Sequence, residues 1–457
     1  MFLPIRIMLL TKNRFHQLIF YILISFLIIF NGGNYEMYPQ FNFICVSSFF
    51  LYCFADLNYK AHIKKIFFDN KKIIFIYFIF LSYLILQIIP LPQEFIKYLS
   101  PLKYKILIDL GENNFSSISL DSSKTFFNLL NFISLAVFII IFKTIFYKKR
   151  HIKNFYFFLT LVGFFSAIVA IFFYLIDNPD FFIISNKYYK NSATGFFINR
   201  TVFACFLNLS FLAGLEYLSL IDIMNKNKKD YFFNKIYVRI FLLFITIGII
   251  TSFSRIGNFL LIFLLLIYLI NQFFLKEKKN NYIFYTLILI IILDILIFGF
   301  YFGGFKIIDR FAFLKNEFGY YSVNANDLIV TTRRGDLTLF SLAQIKNFLL
   351  FGYGAGNFEL LFKNFYLNTG KNYANHAHSD LLEFIGEFGI LGMLIMIIFL
   401  FNCFKKISFI SVKNIFLIIF LITVLLFDFS FHIFLIQLIY IILLSINLKK
   451  FDIFINK

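Results

Sequence analysis

Run after run of apolar residues, each roughly 17 to 25 long, is separated by short lysine-bearing stretches along this chain, and no other feature constrains its fold as strongly. A helix rising about 1.5 Å per residue needs about 20 such residues to cross a hydrocarbon layer ~30 Å thick. About twelve runs can be placed, over residues 15–30, 41–57, 73–90, 125–147, 154–176, 196–222, 236–253, 256–275, 282–305, 380–402, 414–428 and 431–448. None alternates apolar and polar residues as the strand of a membrane barrel does. With 60% of the chain hydrophobic and 22% aromatic, a soluble globular fold is excluded. The expected fold is an all-α polytopic membrane protein.

The net charge of +19 does not point to nucleic acid, because the basic residues fall in short clusters between apolar runs rather than on one face. Clusters at Lys60–Lys72, Lys148–Lys153, Lys226–Lys235, Lys276–Lys279 and Lys405–Lys413 all fall on one side of the span count. By the positive-inside rule that side is cytoplasmic, and both termini join it. Segments 91–124, 177–195 and 306–379 then lie outside. The chain reads as one integral membrane domain: nine spans with short loops in residues 1–305, a long outer loop in 306–379, and three spans with a tail in 380–457. The first run lacks a small-residue cleavage site and many spans follow it, so no cleaved leader is expected. Cys45, Cys53, Cys205 and Cys403 lie in or beside apolar runs without CxxC spacing, which suggests neither a disulfide framework nor a zinc site.

Chemistry is expected where the long loop runs into an apolar helix. His376 and His378 are the histidines assigned to the outer face; His16, His62 and His151 sit near cytoplasmic span ends, and His432 is placed inside the last span. Histidine titrates near neutral pH and can take a proton from an attacking hydroxyl. The structural alternative is a loop histidine hydrogen-bonded at a helix start. His-x-His could also be half of a metal site, with Asp380 and Glu383 nearby, but no recognised spacing completes it. Asp380 and Glu383 read as a D-x-x-E cap at a helix N-terminus. Gly386, Gly389 and Gly392 read as one small-residue face of that helix.

Arginine is the other candidate. Arg333 and Arg334 open a stretch whose apolar spacing predicts an amphipathic helix on the outer surface. A planar guanidinium fork suits a lipid diphosphate, and equally an anionic headgroup. Arg255, in TSFSRIG, interrupts an apolar stretch; it is either a turn residue or a charge facing a wet cavity or an anion. Arg200 opens the sixth run. Gly352, Gly354 and Gly356 in GYGAGN lack the spacing and the preceding strand of a nucleotide loop.

Together these pieces resemble the O-antigen ligase and polymerase family of bacterial envelope glycosyltransferases. His378-Ser379, nine residues, then Gly389-x-x-Gly392 is similar to the family's histidine motif. GYGAGNF, with Gly354, Gly356 and Asn357, resembles its glycine turn; TSFSRIG resembles its S-R-G turn; GFFINRTVFA, with Asn199, resembles its G-x-F-x-N helix start. Thr201 stands where the family often has a second Asn, Leu349 where it usually has Pro, and no Trp follows Arg334.

The resemblance implies a fold like the GT-C type membrane glycosyltransferases, in a bacterial inner membrane, with a periplasmic active site. It implies inverting transfer of a glycan from a polyprenyl diphosphate carrier to a hydroxyl of lipid A core or a growing glycan, without metal or other cofactor. His378 would be the base; Arg255, Arg334, Arg333 and Arg200 would hold the diphosphate; His376, Asn199 and the motif glycines would support them. A transporter or flippase of lipid-linked glycan is the competing expectation.

Overall fold

The computed structural model describes residues 2–35, 37–109, 111, 115–179, 189–224, 231–275, 285, 288–290, 292, 334–365, 374–406 and 411–446. Among them, regular structure is helical apart from one antiparallel bridge between Leu91 and Ser116. In chain order the helices are α1 (Phe2–Ile29), α2 (Tyr38–Ala55), α3 (Leu57–Asp69), α4 (Lys71–Ile88), α5 (Gln93–Leu99), α6 (Pro101–Asp109), α7 (Ser122–Ile145), α8 (Lys149–Leu175) and α9 (Arg200–Met224). They continue with α10 (Tyr231–Thr251), α11 (Arg255–Ile270), α12 (Arg334–Asn347), α13 (Phe358–Phe365), α14 (Asp380–Phe404), α15 (Val412–Phe427) and α16 (Phe434–Ser445).

Among the described residues, seven helices are long and apolar enough to cross a membrane, or eight if the bent pair Tyr38–Ala55 and Tyr59–Asp69 forms one span. The chain is a polytopic membrane protein. Every expected run coincides with a helix except 282–305, most of which lies outside the described residues, as do Arg333 and residues 306–333 of the expected loop. Among the described residues, α15 and α16 are apolar but shorter than a full crossing. The last two are short for a local reason. Their connection, DFSFHI, buries Asp428 and Ser430 and forms a 3₁₀ turn, Ser430–His432, instead of continuing either helix.

The bundle is built around α9, whose apolar window is 89% buried inside the protein. Such enclosure requires small contacts. A Cβ on Gly163 of α8 would stand 2.5 Å from the Ser210 Cβ, and one on Gly257 of α11 would stand 2.3 Å from the Ala204 Cβ. Only glycine lets these helices approach α9 so closely. Asn208 of α9 donates to the Gly257 carbonyl at 3.0 Å, and Tyr268 of α11 donates to Glu216 at 2.6 Å, so polar side chains tie α9 to α11. Phe172 of α8, Ile262 of α11 and Phe401 of α14 instead face outward, as a hydrocarbon surround allows. A second, smaller core of Leu337, Phe348, Tyr353, Phe358, Leu361 and Phe362 joins α12 and α13 over one end of the bundle.

Candidate active site

Three arginines meet. Arg200 is the first residue of α9 and Arg255 of α11, Arg334 lies in α12, and together with Thr201, Ser254 and Ile256 they line one cleft. Local sequence explains each placement. Asn199 accepts hydrogen bonds from the Thr201 and Val202 amides at 2.7 and 3.3 Å, so this motif asparagine is the N-cap that starts α9. Its Nδ2 reaches the Tyr189 hydroxyl, and the Arg200 guanidinium lies 5.3 Å from the centre of the Tyr189 ring. Ser254 caps α11 by accepting from the Gly257 amide at 3.2 Å. Arg255 therefore belongs to a turn between α10 and α11 that opens onto the cleft. Arg334 donates to the Phe427 carbonyl at 3.0 Å, which ties α12 to the end of α15. The N-termini of α9 and α11 carry partial positive charge, so their convergence with three guanidinium groups makes the cleft suited to an anion.

The two glycine motifs form one joint. Gly389 has φ 60° and ψ −176°, a glycine-only conformation that breaks α14 rather than continuing a small-residue face as the sequence suggested. Into the break docks the turn carrying Gly352, Gly354 and Gly356. The Tyr353 amide donates to the Gly386 carbonyl at 2.9 Å, the Gly354 amide to the Glu387 carbonyl at 3.1 Å, and the Ile390 amide to the Leu349 carbonyl at 2.9 Å. Two side chains of α4 complete it. The Tyr83 hydroxyl donates to the Phe351 and Phe388 carbonyls at 2.8 and 2.6 Å, and the Gln87 amide to the Phe351 and Glu387 carbonyls at 2.7 and 2.9 Å. The Asn357 amide donates to Ser119 and Thr125, and the Gly356 amide to the Glu387 carboxylate at 2.7 Å. Gly392 packs on Tyr83.

A side chain at 389 would place its Cβ 2.4 Å from the Leu350 carbonyl oxygen. Gly389→Ala is therefore expected to destabilise the fold by about 1–3 kcal/mol from backbone strain, with the clash added. Its melting curve in detergent should shift down; an unchanged curve would contradict the docked break.

The joint holds the histidine loop against the start of α14. Glu383, 1% exposed, accepts from His376 Nδ1 at 2.9 Å and from the Ala377 amide at 2.8 Å. Asp380, fully buried, accepts from the Phe431 amide at 2.8 Å and from His432 Nδ1. Neither carboxylate caps α14, contrary to the sequence expectation; each reaches sideways to a loop that would otherwise leave buried donors unpaired. His432 is likewise not within a span. It lies in the turn between α15 and α16, its ring centre 5.4 Å from that of His376. Three histidines, His376, His378 and His432, thus gather here rather than two.

His378 has φ 56°, a left-handed conformation uncommon for a non-glycine residue, and packs edge-on against Phe429 with ring centres 5.2 Å apart. Its Nδ1 is buried without a hydrogen-bond partner among the described residues. Burial first, then the nearby Arg334 guanidinium and His376, push its pKa down to about 3. The ring is therefore neutral near pH 7, with one nitrogen open to accept a proton.

A protein-family model described as O-antigen ligase matches residues 240–397. That stretch is similar to the O-antigen ligase family. That match contains Arg255, Arg334, the glycine turn and His378, so three of the four motifs read from the sequence lie inside it, and Arg200 lies before it. No curated protein matches the chain. The match supports glycan transfer of the O-antigen ligase type as the class of activity. Of the expected site residues, Arg200, Arg255 and Arg334 come together, with His378 close enough to Arg334 to feel its charge. His376 supports the loop; Asn199, Gly354, Gly356, Asn357, Gly389 and Gly392 build the frame.

Proposed function

We infer that this protein transfers a glycan from a polyprenyl diphosphate carrier to an acceptor hydroxyl, as an O-antigen ligase or polymerase, at the periplasmic face of a bacterial inner membrane with both termini cytoplasmic and a GT-C type arrangement of helices. The observation that carries the reading is the cleft of Arg200, Arg255 and Arg334, two of them at helix starts, with the neutral histidine His378 beside Arg334.

The chemistry follows from charge. As the bond between the anomeric carbon and the diphosphate breaks, negative charge grows on the leaving oxygens. Guanidinium forks and helix N-termini already fixed in place stabilise that charge without reorganising. His378 takes the proton of the acceptor hydroxyl as the new glycosidic bond forms on the opposite face, giving inversion. An incoming diphosphate also offsets the Arg334 charge that depresses His378, which raises the basicity of the ring when the donor is bound. Arg333, beside Arg334 in sequence, would add to the same cluster. Lipid A core or a growing glycan would supply the hydroxyl.

In this scheme the arginines take the place of a metal ion on the diphosphate. Added magnesium or manganese is therefore expected to leave the rate of transfer by purified protein unchanged. Strict dependence on either ion would overturn that assignment. A diphosphate without a sugar should compete with the donor, and Arg255→Gln should weaken its inhibition by about tenfold, the value of losing roughly 1.4 kcal/mol of binding.

A further inference from the structure

The buried cluster behind the histidine loop contains more carboxylate than its visible partners balance. Asp380, Glu383 and Glu387 are 0%, 1% and 2% exposed, and they converge from successive turns of α14. Backbone amides of Ala377, Phe431 and Gly356 each satisfy one oxygen, and among the described residues His376 and His432 pair with the group while His378 also faces Glu383. Arg334 acts on His378 and Asp428. Buried charges persist only when paired or bound to a metal.

His432 shows which of these holds. Its Nδ1 is taken by Asp380, so a neutral imidazole carries its proton there and turns a lone pair on Nε2 toward the cluster. Nε2 lies 3.5 Å from a Glu383 oxygen and 3.5 Å from a Glu387 oxygen. The side chain is only 9% exposed, and this nitrogen has no hydrogen-bond partner among the described residues. A carboxylate holding one imidazole nitrogen while the other faces inward is the outer-shell arrangement that fixes a metal-binding histidine.

We propose that His376, Glu383 and His432, with Glu387 as the fourth ligand, bind one divalent transition-metal cation of the zinc type, and that Asp380 orients His432 for it. The candidate ligand atoms of His376, Glu383 and His432 all lie within 4.8 Å of one another, with His376 Nδ1 2.9 Å from Glu383 and His432 Nε2 3.5 Å from it. Tetrahedral zinc with bonds of about 2.1 Å sets its ligands about 3.4 Å apart, so modest inward movement completes the shell. The mixed imidazole and carboxylate set suits zinc better than calcium or magnesium, which take oxygen ligands. On binding, the His376 proton moves from Nδ1 to Nε2, and the ion replaces the His376–Glu383 hydrogen bond with two bonds to itself. The ion would clamp the histidine loop, α14 and the α15–α16 turn into one unit. His378 is not a ligand, and the ion does not act on the diphosphate, so this departs from the expectation of a chain without metal while leaving the arginine cleft as described.

The test is elemental analysis of the purified full-length protein, followed by zinc titration and cobalt substitution. Wild type should hold about one zinc per chain or take it up stoichiometrically with a rise in melting temperature, and cobalt should give the intense visible bands of a tetrahedral site. Glu383→Gln, which keeps the side-chain shape, and His432→Ala should each weaken zinc affinity at least about tenfold, the usual scale for disturbing such a shell. Should His432→Ala fail to fold, His376→Gln at the partly exposed edge of the cluster gives the same reading. Wild type that neither contains nor takes up zinc would overturn the proposal and leave His432 as an imidazolium paired with its carboxylates. Zinc retained equally by wild type and all three variants would overturn it as well.

Discussion

His378→Asn is expected to lower glycan transfer by about 100- to 10,000-fold, the contribution a positioned general base makes. Asparagine is the informative replacement because it tolerates the left-handed backbone, φ 56°, that this position adopts, whereas alanine adds strain of its own. A loss with Asn at an unchanged melting temperature isolates the ring nitrogen from the fold. His376→Ala should cost less activity, since His376 acts through Glu383 on the loop and its Nδ1 is already engaged. The rate of the two variants against wild type, measured on the same donor, checks the ordering. Equal transfer by His378→Asn and wild type would remove His378 from the chemistry.

The second large effect belongs to the arginines. Arg255→Ala and Arg334→Ala should each reduce kcat by roughly 100- to 1,000-fold, the scale for removing one preorganised partner of a developing anion. Lysine should not restore it, because an ammonium cannot present the two parallel donors of a guanidinium fork. The double variant should fall short of the product of the two losses, since both groups line the same cleft and act on one leaving group. Arg334→Lys has a second consequence. It also removes the hydrogen bond from Arg334 to the Phe427 carbonyl that ties α12 to α15, so its melting curve must be compared before its rate is read.

Much of this arrangement was legible in the chain. Runs of apolar residues announce membrane helices because the bilayer tests only length and hydropathy, and the motif residues announce the cleft because capping and turn chemistry are local: Asn199 and Ser254 start helices within three residues of themselves. The joint at Gly389 was not legible. Its contacts join residues far apart, Tyr83 with Phe388 across 305 positions and Gln87 with Phe351 across 264, and a glycine spaced like its neighbours reads as helix until the docked turn is seen. His432 was missed for a different reason. Averaged hydropathy begins the last span at residue 431, inside a three-residue turn, although Asp428, Ser430 and His432 at alternate positions do not fit one face of a helix. Asp380 and Glu383 look like an N-terminal cap because composition cannot say that an acidic side chain turns sideways.

The central claim is that this chain forms a glycosidic bond itself. The most direct measurement uses purified wild-type protein, a synthetic polyprenyl diphosphate-linked glycan and acceptors that include lipid A core and the unlinked repeat, with the anomeric configuration of any product read by NMR. The account predicts a product whose anomeric centre is inverted relative to the donor, formed by wild type and not by His378→Asn. Donor carried across vesicles by wild type, with no glycosidic bond formed to any acceptor, would contradict it.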